Sequence, residues 1–464
     1  VMGVEIDPSL DYRHWRKDHV SVFPAIHSSF VNYSARPEVL AGLREAGFAS
    51  FDAVNYLSEE GLFRYDAALF SGGGAELDIQ KSKAINPSIW NRRADTVLMS
   101  DSGGFQVATG ILAPKQYYEM REKITTWQEA ISDIAIAMDV PTGSIGNRKA
   151  ICIDSFDECL TLTKDNFDWQ VQNRNPKAAR MLNVVQGLRA EGHEGALRWY
   201  DEIKGYCDRS KWGDNAFDGW SFGGFAAQNT ATALRVIARM LQDGLLGKDG
   251  NHRWIHILGV AAEKRVASFT LIQRALRRVL DDDGFTVSCD ASSAGLMVGT
   301  KQMYYADGPE GVAQRKVLNA RWFQPSCGRD CDEHFDPNAK ECVVCAFDRQ
   351  LDFMRAMGTC CLAEHLSFEA YTNLATLSET KIRDALKEAE EKDLEVDPNL
   401  YHLYGTLKPE GYALFTFISQ EMFLRKAYGQ SAKIVEAKAD LVDKLAAALK
   451  SETPDSDLAK IKLA

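Results

Sequence analysis

No stretch of the chain stays apolar for the length a membrane span requires, although hydrophobic residues make up 45% of its 464 positions. A membrane-spanning helix is therefore excluded, and no membrane partner is expected. The opening residues, Val1-Met2-Gly3-Val4-Glu5-Ile6-Asp7, have no basic region followed by an apolar one. No secretory signal is visible there, and the expected compartment is the cytoplasm. An excess of basic charge is missing too: 54 Lys and Arg against 65 Asp and Glu leave a net charge of -11. That rules out a surface that is basic all over. Arg174, Lys177 and Arg180 form a local cluster, as do Arg274, Arg277 and Arg278, and Arg315, Lys316 and Arg321. Such clusters are commonly solvated helix faces, and they permit a nucleic-acid contact without requiring one. Internal repeats are absent as well. The length exceeds that of a usual single domain and suggests one large domain with an appended region.

What is present is a rhythm of short apolar runs. In order they are Ser21 to Ile26, Ala67 to Phe70, Thr96 to Ser100, Ile134 to Met138, Leu182 to Val185, Trp220 to Phe222, Ile255 to Leu258 and Phe285 to Cys289. Such runs, alternating with amphipathic helical stretches, indicate parallel strands covered on both faces, and eight units of this kind predict an α/β fold, the (β/α)8 TIM barrel. Phe51-Asp52-Ala53-Val54 competes for the place of the second strand. Beyond the barrel, 377–395 and 419–450 read as charged helices that close the barrel or mediate self-association, for instance as a homodimer. The segment 451–456 reads as a mobile linker.

The residues at the ends of these runs carry the chemistry: Asp101, Asp139, Gln186 and Gly187, Gly223 and Gly224, Gly259, and Asp290. In a barrel these positions meet at the C-terminal mouth. Any one of them alone reads as a turn residue; together they suit one planar, hydrogen-bonding ligand. The third run ends most tellingly, in Asp101-Ser102-Gly103-Gly104-Phe105-Gln106. Glycines let a flat ligand approach the backbone, a phenyl ring gives it a face to stack on, and a carboxylate can accept a proton or a ring N–H. That combination reads as a nucleobase site.

The ten cysteines are unevenly spread. Cys152, Cys159, Cys207 and Cys289 are scattered in segments that read as core, where they act as small apolar residues. Cys327, Cys331, Cys342, Cys345, Cys360 and Cys361 crowd together, and in a cytoplasmic chain that crowding suggests metal before disulfides. Cys360-Cys361 reads as helix packing.

Over roughly residues 20 to 380 the chain resembles the tRNA-guanine transglycosylase superfamily. The resemblance rests on Asp101-Ser102-Gly103-Gly104-Phe105-Gln106, Met138-Asp139-Val140-Pro141, Val184-Val185-Gln186-Gly187, Gly223-Gly224-Phe225-Ala226, Leu258-Gly259-Val260, Cys289-Asp290, and Cys342-Val343-Val344-Cys345 with Glu364-His365. Members of this family exchange a guanine in a nucleic acid for a free 7-deazaguanine base. The resemblance implies that Asp290 is the nucleophile and Asp101 the general acid/base. It further implies that Ser102, Asp139, Gln186 and the Gly223-Gly224 backbone hold the base, with Phe105 stacked on it, and that no redox cofactor takes part. A structural Zn2+ is implied as well. Family members carry Cys-x-Cys-x-x-Cys and a distant His. Here Cys342, Cys345 and His365 match, while Lys340 stands where the first cysteine belongs, so Cys331, or Cys327 four residues before it, supplies the fourth ligand.

Two further departures bear on the substrate. The tyrosine- and histidine-containing residues that follow the second strand in tRNA-acting members are replaced by Phe70-Ser71-Gly72-Gly73-Gly74, expected to widen that loop. Where those members carry arginines after the nucleophile, this chain reads Ala291-Ser292-Ser293-Ala294-Gly295-Leu296. The loss of cations weakens the expected RNA contact. The pattern resembles the DNA-guanine transglycosylase branch, which inserts 7-deazaguanines into DNA and needs an unpaired or flipped base, with or without a helper protein that opens the duplex. Arg315, Lys316 and Arg321 are the expected feed for the strand. Two rival readings stay open: a tRNA-guanine transglycosylase of queuosine or archaeosine type, and a non-catalytic nucleic-acid-binding subunit of a transglycosylase heterodimer. The presence of both Asp101 and Asp290 counts against the second. The expected organisation is a catalytic barrel over 1–320, an inserted zinc-binding subdomain over 321–380 and a C-terminal helical region over 381–464.

Overall fold

The apolar runs become strands. In a computed structural model, which describes residues 8–147, 153–248, 252–299, 302–306, 312–316, 391 and 409–463, eight parallel strands close into a barrel in sequence order. They are β1 Ser21–Ile26, β2 Ala67–Ser71, β3 Val97–Asp101, β4 Ile134–Ile136, β5 Arg180–Val185, β6 Gly219–Phe222, β7 Trp254–Ile257 and β8 Thr286–Ala291. Consecutive residues along them are buried on both faces, as strands must be when helices cover the outside and side chains fill the inside. β8 returns to β1 with Phe23 opposite Asp290, so no strand edge is left open. This is the TIM-barrel architecture expected from the runs.

Three details differ from the sequence reading. Phe51–Val54 is a 3-10 turn: Ser50 accepts a hydrogen bond from the Asp52 N–H at 3.2 Å, a local bond that competes with a ladder. β3 and β8 extend past their apolar runs, so Asp101 and Asp290 are strand residues, in register with Ser71 and Phe23. The ladder fixes their backbone more firmly than a loop would. After β8 and the helix Ser293–Gly299 an antiparallel hairpin follows, β9 Gln302–Ala306 with β10 Val312–Lys316; Arg315 and Lys316 fall on β10.

The helix Thr230–Gln242 shows how the outer layer forms. Asn229 caps it by accepting from the Thr232 N–H at 3.0 Å, and Ala233, Val236, Ile237 and Met240, at helical spacing, form its buried face. The segment expected as a linker is ordered here: Pro454–Leu458 forms a short helix that buries Pro454 and Leu458 and packs on Thr230–Gln242.

The helix Pro409–Ala437 fills the seam between β8 and β1. It packs on β1 and on the helices Ser28–Tyr33, Pro37–Glu45, Glu263–Leu280 and Ser293–Gly299. Its Tyr428 hydroxyl accepts from the Val22 N–H at 2.8 Å and donates to Val20 O at 3.0 Å, while Tyr12 donates to the fully buried Glu421 at 2.9 Å. The C-terminal helix therefore belongs to the barrel's own helical layer and closes it.

Of the basic clusters, Arg174, Arg274 and Arg277 are tied into the fold, while Lys177, Arg180 and Arg278 are exposed. Arg174 is buried and donates to Ala216 O at 2.8 Å, to Ala179 O at 2.9 Å and to Asp218 at 2.8 Å. Arg274 and Arg277 donate to Asp18 O and Lys17 O, tying the helix Glu263–Leu280 to the N-terminal segment. Cys159, Cys207 and Cys289 are buried, as expected. Cys327, Cys331, Cys342, Cys345, His365 and Arg321 lie outside the described residues, and so does the subdomain expected over 321–380. Among the described residues no helix is long and apolar enough to cross a membrane.

Candidate active site

Asp290 and Asp101 reach the mouth of the barrel from β8 and β3, with β1 and β2 between them. Asp290 is 8% exposed. Its Oδ1 accepts from the Gly259 N–H at 2.7 Å and pairs with His256 Nε2 at 3.1 Å, whereas Oδ2 has no hydrogen-bond partner among the described residues. One oxygen is anchored and the other is not. Asp101 is partly buried, and its Oδ2 accepts from Ser71 Oγ at 3.0 Å and from the Gly103 N–H at 3.3 Å. Burial raises its pKa; the Ser71 bond opposes that rise, and the charge of Asp290 adds to it. The net shift favours the protonated form of Asp101.

A third carboxyl group, Asp139, follows β4 and is 2% exposed. Gln186, after β5, donates to its Oδ2 at 2.5 Å. Burial pushes the Asp139 pKa up to about 7 against that bond, with the charge of Asp101 assisting. The Gly223-Gly224 pair after β6 makes room for Gln186. A Cβ at Gly223 would lie 2.3 Å from Gln186 Nε2, and one at Gly224, where φ is 51°, would lie 2.6 Å from Gln186 Oε1 and 2.5 Å from Gly187 O. Only glycine leaves the amide in place. The Gly223 N–H is engaged with Val185 O at 2.8 Å, so of the two backbone donors expected to hold a base, Gly224 alone has an N–H without an acceptor among the described residues.

On the loop after β3, Phe105 is 67% exposed at the start of the helix Gly104–Ala108, an aromatic face with little protein over it. Gly103 has φ 97°, and a Cβ there would meet Gly73 Cα at 2.9 Å; one at Gly73 would meet Gln106 Oε1 at 2.3 Å. The loops after β2 and β3 are thus pressed together. Gly72-Gly73-Gly74 tightens the rim where the sequence suggested widening. Ser102 is fully buried, and its Oγ accepts from the Tyr117 hydroxyl at 2.6 Å. Its side chain braces the loop and is not presented as a base ligand.

The roles of several residues of this site escape a sequence reading. Ser71, His256 and the Gly259 N–H hold the two strand-end carboxylates, and Tyr117 holds Ser102. The available signal was polarity out of place: His256 interrupts the apolar run of β7, and Ser71 ends β2 as the register partner of Asp101. Among the described residues no group of three or more His, Cys, Asp or Glu could hold a metal ion. Compared with known proteins, the chain matches no family model and no curated sequence.

Proposed function

We propose that the chain is a guanine transglycosylase that exchanges a guanine in DNA for a free 7-deazaguanine base, with Asp290 as nucleophile and Asp101 as general acid/base. The observation that carries this reading is the grouping at one barrel mouth of two strand-end carboxyl groups, Asp101 sensing the charge of Asp290, with a buried carboxyl–amide pair, Asp139 and Gln186. Breaking an N-glycosidic bond builds oxocarbenium character at C1′. A facing carboxylate stabilises that charge and captures it. In the first step Oδ2 of Asp290 bonds to C1′ as the C1′–N9 bond breaks, and Asp101 gives its proton to the leaving guanine. In the second, the incoming base loses its N9 proton to Asp101 and attacks C1′, and the C1′–Oδ2 bond breaks. Two inversions retain the configuration. Burial of Asp101 favours the protonated form that the first step needs.

Asp139 and Gln186 supply what a guanine-like edge demands, an acceptor for ring and amine N–H groups and an amide that can pair either way. A sugar hydrolase would also use two carboxylates but would have little use for this pair or for the exposed Phe105. DNA is favoured over tRNA because residues 291–299 contain no Lys or Arg, and because Ser419 donates to Ala294 O at 2.6 Å, docking that segment on the C-terminal helix. The reading includes one structural Zn2+ on Cys342, Cys345, His365 and either Cys331 or Cys327, a donor set suited to tetrahedral zinc. It takes no part in base exchange. Labelled free 7-deazaguanine supplied with single-stranded DNA and tRNA in one tube tests the proposal: label is expected in DNA. Label in tRNA alone would transfer the reading to the tRNA-acting enzyme, and label in neither would end it.

A further inference from the structure

The interior of a barrel is ordinarily filled by layers of branched apolar side chains. Here part of it is polar. Trp254 and His256 of β7 and Ser288 and Asp290 of β8 form a continuous hydrogen-bonded column, with His256 and Ser288 opposite each other in register and both 0% exposed. Trp254 Nε1 lies 2.7 Å from Ser288 Oγ, Ser288 Oγ lies 2.7 Å from His256 Nδ1, and His256 Nε2 lies 3.1 Å from Asp290 Oδ1.

The chemistry at the two ends fixes the direction of this column. An indole N–H can only donate, so Ser288 Oγ accepts from Trp254. An ionised carboxylate can only accept, so His256 Nε2 carries a hydrogen. If Nδ1 is bare it accepts the Ser288 hydroxyl hydrogen, and every donor then has one acceptor. A hydrogen on Nδ1 as well would leave the Ser288 hydroxyl hydrogen without an acceptor among the described residues. Phe23 packs edge-on to the imidazole, with ring centroids 6.0 Å apart and planes at 84°, and Ser221 is its register neighbour on the other side. The ring is walled in.

We propose that His256 is a positioning residue for Asp290: the Trp254–Ser288 relay holds its imidazole in the Nε2–H tautomer, and that N–H, with the Gly259 N–H, pins Oδ1 so that Oδ2 is the oxygen offered to C1′. The catalytic sense of this proposal rests on Asp290 being the nucleophile; the relay itself does not. A carboxylate held by two donors on one oxygen cannot swing, and a misplacement of about 1 Å costs roughly 10²-fold in rate.

Two readouts separate these parts. In the full-length protein labelled with 15N-histidine, with the His256 signals assigned by their loss in His256→Gln, the wild-type ring should be a single Nε2–H tautomer. Ser288→Ala, which removes the hydroxyl that Nδ1 depends on, should release it into a mixture. In base exchange with labelled 7-deazaguanine and single-stranded DNA, His256→Leu should lower kcat roughly 10²-fold with KM for the base unchanged. His256→Gln, which restores an N–H toward Oδ1, should recover most of the loss. If the leucine variant does not fold, the glutamine and Ser288→Ala variants still carry the comparison, the latter with a lowered kcat and an unchanged KM. An Nδ1–H ring in the wild type, or a folded leucine variant with unaltered kcat, overturns the proposal. An intact Nε2–H relay in a protein that exchanges no base overturns the functional reading and the catalytic role together, and leaves the relay standing.

Discussion

Under the proposed function, Asp139 is the residue at which burial and recognition pull against each other. Its pKa is raised from 3.8 to about 7 by enclosure, with the charge of Asp101 assisting, yet a guanine-like base presents N–H donors that require an ionised acceptor. Because the folded group holds its proton more tightly than the unfolded one, its contribution to stability is complete below about pH 3.8 and is lost as pH rises through about 7. Base binding should run the opposite way. Affinity for the free base, measured by calorimetry, is expected to strengthen as pH rises through about 7, and Asp139→Asn should be weak and nearly flat across that range. A wild-type affinity that falls with rising pH would remove Asp139 from recognition as an acceptor. The same residues illustrate what a sequence can disclose. Asp101, Asp139, Gln186 and Asp290 were legible because each ends or follows an apolar run, where a barrel gathers its chemistry. His256 and Ser288 were not, because a polar residue inside a strand discloses its role only when its register neighbour is known.

At the scale of elements, the strands were legible for a physical reason: enclosure on both faces forces runs of Val, Ile, Ala and Phe, and those runs need no long-range information to be seen. The loops were less so. Gly72-Gly73-Gly74 looked like an opening, whereas close approach of Gly73 to Gly103 and Gln106 makes it a clamp. The place of the helix Pro409–Ala437 was beyond the sequence, since its contacts with β1 join residues 406 positions apart, Val22 and Tyr428. That tie can be weighed. Tyr428→Phe leaves the Val22 N–H and Val20 O buried without their partner, and should cost about 1–3 kcal/mol of stability in chemical denaturation. A cost near zero would mean that the seam is held by apolar packing alone.

At the scale of the molecule, a closed barrel is followed in sequence by a cysteine-rich region. Metal analysis of freshly purified protein should find about one zinc per chain, and Cys342→Ser should lower thermal stability while leaving the rate of base exchange in the surviving folded fraction unchanged. Zinc-free protein of full stability would contradict that expectation. With a net charge of -11, attraction of a nucleic acid depends on a local patch, so exchange should weaken steeply with salt. The central claim, covalent base exchange through Asp290, is tested most directly by trapping. The protein is incubated with a guanine-containing single-stranded DNA and no incoming base, denatured, digested, and mapped by mass spectrometry. The account predicts an oligonucleotide bonded to the peptide carrying Asp290, an equal amount of guanine released, and neither product from Asp290→Ala, whose exchange rate should fall about 10⁴–10⁶-fold. Guanine release or base exchange at the wild-type rate by Asp290→Ala, or an adduct mapped to another residue, would contradict it.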